Sequence, residues 1–292
     1  MVAEVRMLTL EECAAAYPQL QFAVGDAGPS GVTAGSRADE AHDLGGIGKL
    51  LLGLTLAHLG QSDEGFLERS LTVSKDHRAG ARTGTLRLMS GELQLSVEDA
   101  VNLVLSTGDG ACVRALLDFA AAEGVDLLSE AGSLTSSLRL DAVQLSGLES
   151  GESWGEGLLG SATAASTCQL LRSLGTPEDP EDDPAVAGGA SSEARQLLHG
   201  WMGKVFEPAG LASALPGYGP RRVRHQTLSG FELTAAGAQR GYSSVLSLPN
   251  QAGEWVHVAA HLPPSSAGAH SPRDVSAVLG TLGLAAYLST RN

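Results

Sequence analysis

The sequence predicts an α+β fold, in which segments from both ends of the chain share one antiparallel sheet and a helical lobe is inserted between them. Two observations carry this reading. Short extended segments lie near both termini, Leu20–Val24 and Val32–Ala34 on one side and Arg222–Leu228, Tyr242–Leu248 and Trp255–Ala260 on the other. Apolar residues between them recur at helical spacing. The chain reads as a single unit over residues 1–292, with 1–44 and 205–292 forming the α/β lobe and 45–204 the helical lobe.

Taken in order, Thr9-Leu10-Glu11-Glu12 is a capping box that starts a helix ending before Pro18. Gly28-Pro29-Ser30-Gly31 is the turn between the first two strands. An apolar helix opens near Gly46 and runs through Lys49 to Leu59. Ser96-Val97-Glu98-Asp99 starts another, and a further helix spans about Gly110 to Ala122 with Val113, Leu116, Leu117 and Ala120 on one face. Ser133 to Gly160, rich in Gly, Ser and Glu, reads as a long irregular loop. Helices resume over Thr163–Leu174 and Ser192–Met202, separated by the solvated acidic loop Thr176–Pro184. Pro249–Gly253 turns between the last two strands, and Ser271-Pro272-Arg273-Asp274 caps a closing helix.

Composition narrows the function. A chain of 292 residues with 43% hydrophobic content can bury a large core. Its net charge of -14 argues against a nucleic-acid groove, and the short basic cluster Arg221–His225 does not reverse that. Three widely spaced cysteines, Cys13, Cys112 and Cys168, suit buried free thiols. The start of the chain lacks a signal-peptide pattern and no apolar run is long enough to span a bilayer, which gives a cytoplasmic expectation with no membrane partner. No His/Cys/Asp cluster has metal-ligand spacing and no phosphate loop follows a strand, so neither metal nor cofactor is expected. His58 reads as a helix-packing residue and His225 as a strand-surface residue.

Gly46-Ile47-Gly48-Lys49 places a lysine one helical turn after a glycine. Gly84 to Asp99 has the form G-x-L-x-L-x-x-G-x-x-x-L-x-V-x-D, and it is followed by a helix and by Gly108-Asp109-Gly110. Ala194–Met202 reads A-R-x-x-L-x-x-W-M, and Ala212–Pro216 is a short turn. In order and in these phrases, the chain from about Pro18 onward resembles the class A serine β-lactamases and the wider penicillin-recognising hydrolases.

The resemblance implies that fold and a groove bordered by three motifs. Where the family has Ser-x-x-Lys, this sequence has Gly46 and Lys49; where it has Ser-Asp-Asn, it has Gly108-Asp109-Gly110. The Lys-Thr-Gly strand corresponds to either Gln226-Thr227-Leu228 or Leu228-Ser229-Gly230, and both registers lack the lysine. Without a serine at Gly46 no acyl-enzyme forms there. Asp109 is expected to fix its loop, and Arg240 to face the groove or solvent. Ser106 and Ser229 are substitute nucleophiles, and Glu149, Glu152 and Glu156 are loop acids outside the family's glutamate context.

Lys49 has two readings, a base or nucleophile, or a lysine paired with Asp109 or a loop glutamate. The expected site is therefore Lys49 with Gly46, Ser106, Asp109, Gly110, Ser229, Gly230 and Arg240. The functional expectation is a catalytically impaired member that binds a small acyl-amide or peptide ligand. The alternative is a hydrolase of β-lactam or related amide or ester substrates, with relocated machinery around Lys49.

Overall fold

The computed structural model describes residues 7–26, 31–79, 81, 83–149, 157–175, 191–205, 209–216, 226–233, 239–264 and 272–291, with the side chains of 226, 229–233, 239, 240 and 272 left undescribed. The elements are α1 (Leu10–Ala16), β1 (Gln21–Asp26), β2 (Val32–Ser36), β3 (Ala41–Asp43), α2 (Gly46–Ser62), β4 (Ser70–Val73), α3 (Lys75–Ala79), β5 (Leu93–Ser96), α4 (Val97–Thr107), α5 (Gly110–Ala122), α6 (Leu127–Ser137), β6 (Gln144–Leu148), β7 (Leu158–Thr163), α7 (Ala164–Ser173), α8 (Ser192–Met202), β8 (Gln226–Leu233), β9 (Gln239–Pro249), β10 (Trp255–Leu262) and α9 (Pro272–Ser289). The main sheet runs β2-β1-β10-β9-β8, so strands from both ends of the chain pair directly. The register places Phe22 against Ala260 and Leu228 against Val245.

Both faces of this sheet are covered. Phe22, Val24, Leu246, Leu248, Val258, Ala260 and Leu262 pack with Leu211, Val275, Leu279 and Leu282, which seats α9 on one side. Ala23, Leu228, Val245 and Ala259 join the core of the helical lobe on the other. The centre of that lobe is α2. Every residue from Gly46 to Ala57 is buried, and the helix packs against α4, α6, α8, β8 and β9. A helix apolar all round belongs in such an enclosed position.

Caps set most helix starts as the residues dictate. Thr9 forms the full capping box with Glu12, and Ser96 accepts from the Asp99 amide at 3.0 Å. The three cysteines are buried free thiols, and burial raises the Cys168 thiol to about 12. Among the described residues no helix is long and apolar enough to cross a membrane.

Four expectations need correction. The stretch Ser133–Gly160 is not one irregular loop: α6 begins before it and ends at Ser137, β6 lies in it, and β7, which starts in it and ends at Thr163, pairs with β6. The inserted lobe is not purely helical, since β4–β5 and β3–β7–β6 are small sheets of their own. The helix α7 lies against β1 and β10, so it packs on the main sheet although it falls inside 45–204. Glu149 is not a solvated loop acid: its side chain is 1% exposed and ion-paired with Arg114 of α5 at 3.2 Å. The Gly28–Ser30 part of the first turn, the acidic loop Thr176–Pro184, Arg221–His225 and Ser271 lie outside the described residues.

Buried histidines give the fold a pH dependence. Burial lowers His257 to about 3, with His199 and Arg172 adding repulsion. Burial likewise lowers His261 to about 4, opposed by the Asp43 carboxylate. Both fall below the ordinary histidine value of 6.5, so the unfolded chain binds protons that the folded chain refuses. Their stabilising contribution is complete above pH 6.5 and is lost as pH falls toward 4. Urea unfolding at pH 7 and pH 4.5 should show a loss of about 3 kcal/mol per histidine, and His261→Asn should flatten the slope.

Candidate functional site

The turn from β3 into α2 determines where Lys49 sits. Gly45 occupies the N-cap position with φ 50° and ψ −125°, a backbone conformation that L side chains rarely adopt. Gly46 then begins the helix, and Lys49 follows one turn later on the same side. Lys49 is 4% exposed. Its Nζ donates to the Gly108 carbonyl at 3.3 Å, tying α2 to the α4–α5 turn.

That turn is built around Asp109, which has no exposed surface. Gly108 ends α4 in the left-handed conformation, and Asp109 caps α5. The Asp109 carboxylate accepts from three backbone amides: Leu86 at 2.8 Å, Ala111 at 3.0 Å and Cys112 at 3.2 Å. It thereby joins the α5 N-terminus to the 83–88 segment. Thr83 completes the junction, donating from Oγ1 to the Gly108 carbonyl at 2.6 Å and accepting from the Gly110 amide at 3.4 Å.

The sequence reading missed Thr83, because no local pattern marks a residue whose partner is a carbonyl 25 positions away. The Gly108 carbonyl therefore receives both the Lys49 ammonium and the Thr83 hydroxyl.

The other expected residues fall as follows. Ser106 donates to the Asn102 carbonyl of its own helix at 2.6 Å, the back-bond of a helical serine. Ser229 and Gly230 lie in β8, opposite Ser244 and Ser243 of β9. Both motif registers therefore fall on the edge strand of the sheet. Thr227 is buried and donates to the Val245 carbonyl at 2.7 Å. Arg240 belongs to β9, and Glu152, Glu156 and His225 lie outside the described residues.

Glu149 is held by Arg114, and it accepts from the Gly157 amide at 3.3 Å, which closes the β6–β7 hairpin. His58 is half-buried on α2. Among the described residues, no group of His, Cys, Asp or Glu could hold a metal ion.

What this arrangement supplies chemically is a nearly buried ammonium one turn from a helix start, facing a rigid polar turn. The architecture is the β-lactamase/transpeptidase-like fold. A model of the β-lactamase enzyme family matches residues 7–200, more than half of the chain, and the chain belongs to that family.

Solved structures show the same fold over nearly the whole length. A β-lactamase from Sphaerobacter thermophilus is 19% identical with a TM-score of 0.71, covering 95% of this chain and 94% of that one. A class A β-lactamase from Bacteroides cellulosilyticus is 14% identical with a TM-score of 0.72, covering 97% and 98%. A β-lactamase from Xanthomonas campestris is 15% identical with a TM-score of 0.68, covering 95% and 94%. A search of curated proteins finds no match.

Proposed function

We propose that this member of the β-lactamase enzyme family binds a small acyl-amide or peptide ligand reversibly, without the family's serine chemistry. The observation that carries the reading is Gly46. It opens α2 one turn before Lys49, where the family's nucleophilic serine would stand, and it offers no oxygen to acylate. The neighbouring motif supports it, since Gly108 and Gly110 lack the hydroxyl and amide that would relay a proton and hold a substrate. What remains at this place is the Lys49 side chain, held against the Gly108 carbonyl.

Benzylpenicillin is the probe. At a concentration 100-fold above its dissociation constant it should stabilise the protein by about 2.7 kcal/mol, read as a melting temperature raised by several degrees. Intact mass should not change. Lys49→Met, which keeps the stem and removes the charge, should weaken the shift at least tenfold in ligand concentration. Absence of any shift at millimolar penicillin would reject the reading.

The alternative, a hydrolase working through Lys49, draws its support from the burial of that amine. It predicts turnover that Lys49→Met abolishes.

A further inference from the structure

On the lobe-facing side of the main sheet, β9 and β10 hold two serine–histidine couples. Ser243 Oγ lies 3.2 Å from His261 Nδ1, and Ser247 Oγ lies 2.8 Å from His257 Nδ1. All four residues are buried. Their surroundings differ. Ser247 lies opposite Gln226 in the β8–β9 register.

Ser243 instead has Gly230 opposite it on the edge strand β8, with Gly241 two residues along on its own strand. A Cβ at Gly241 would sit 2.6 Å from the His261 ring, so the glycine is what admits the imidazole. The imidazole fills the space beside Gly241, and Ser243 has a residue without a side chain opposite it on the edge strand.

The base is oriented from behind. His42, on β3 and four residues before Gly46, stacks on His261 with ring centroids 4.2 Å apart and planes 5° from parallel. The Nδ1 of His42 lies 2.8 Å from the Asp43 carbonyl and donates to it, which fixes that ring. The Asp43 carboxylate also favours the protonated form of His261, opposing its burial.

We infer that Ser243 is an acyl acceptor for small activated esters, with His261 as its base, reached past Gly230 at the edge of the sheet. This goes beyond the reversible binding proposed around Lys49 and does not rest on it. In the step, the Ser243 hydroxyl proton passes to His261 Nδ1 as Oγ bonds to the ester carbonyl carbon. The tetrahedral adduct collapses by breaking the acyl C–O bond, and the departing alcohol takes the proton from His261. Water then reverses the sequence to release the acid. His42 is a positioning residue.

The probe is p-nitrophenyl acetate on the full chain, with nitrophenolate release followed by absorbance and the acetyl group located by peptide mass spectrometry. The acetyl group should map to Ser243. The burst should vanish in Ser243→Ala and slow at least tenfold in His261→Asn, while Ser247→Ala leaves it unchanged. His42→Phe keeps a stacking ring and should retain labelling at Ser243. Ser243→Cys keeps a nucleophile of similar size and should take the label at the same position, which decides the matter if the alanine variant does not fold. Acetylation confined to lysines or the N-terminus, or a burst unaltered by Ser243→Ala, overturns the inference. Neither result bears on penicillin binding, which is read separately by thermal shift.

Discussion

Gly46→Ser is expected to turn a protein that takes no covalent mark from benzylpenicillin into one that is stoichiometrically acylated. In a comparable serine hydrolase, removing the nucleophile costs on the order of 10⁶ in turnover, so restoring it has a large effect to recover. The backbone accepts the change. The unusual dihedral angles belong to Gly45, while Gly46 has ordinary helical geometry, and a hydroxyl there stands one turn from the Lys49 amine.

The acyl group should persist once formed. The described loop acid, Glu149, is locked to Arg114, and Gly108 and Gly110 offer no side chain for proton relay. Intact mass after incubation with benzylpenicillin checks this. The account predicts a mass increase in Gly46→Ser alone. An unmodified variant that is still folded would mean that Lys49 cannot activate a hydroxyl at this place.

The second large effect is structural. Asp109→Ala should destabilise the protein by about 3 kcal/mol or more, because it leaves the buried amides of Leu86, Ala111 and Cys112 without their acceptor and removes the cap of α5. Asp109→Asn keeps one oxygen but turns a donor toward the Leu86 amide, so it should lose less than the alanine variant and remain clearly below the parent. Urea midpoints measure both. A loss under 1 kcal/mol in the alanine variant would show that the junction between the 83–88 segment and α5 is held by other contacts. Since the Gly108 carbonyl is part of the same turn, Asp109→Ala should also weaken penicillin-induced stabilisation.

Much of this fold could be read from the chain because its signals are local. The predicted helices from about Gly110 to Ala122 and over Ser192–Met202 agree with α5 and α8, which begin after Asp109 and Ser191 side-chain caps. The last two strands were legible from their apolar residues and from the Pro249–Gly253 turn, whereas the expected Arg222–Leu228 strand coincides with β8 only over Gln226–Leu228, its earlier part lying outside the described residues.

The segment from Leu127 to Thr163 was not. In α6 the sequence LLSEAGSLTSS has weak intrinsic helix preference, and burial of Leu127, Ala131 and Leu134 overrides it. The strand β6 is short, polar and glycine-containing, and it exists because β7 pairs with it. With three residues, β3 carries no period to read.

The candidate site divides the same way. One-turn spacing between Gly46 and Lys49 is a property of helix geometry and needs no tertiary information. The acceptor of Lys49 is a main-chain carbonyl 59 residues away, and backbone groups leave no mark in side-chain patterns. Pairing of Glu149 with Arg114 reverses its expected exposure, since the Ser133–Gly160 loop reading gave it no partner. The Ser243–His261 couple depends on the β9–β10 register, which places residues 18 apart side by side.

The most direct test of the central claim is hydrolysis of a chromogenic cephalosporin by the purified chain, run beside Lys49→Ala. The account predicts no turnover above the uncatalysed rate in either protein, with penicillin still raising the melting temperature of the parent. Turnover in the parent that disappears in Lys49→Ala would contradict it, and would make this chain a hydrolase built around Lys49.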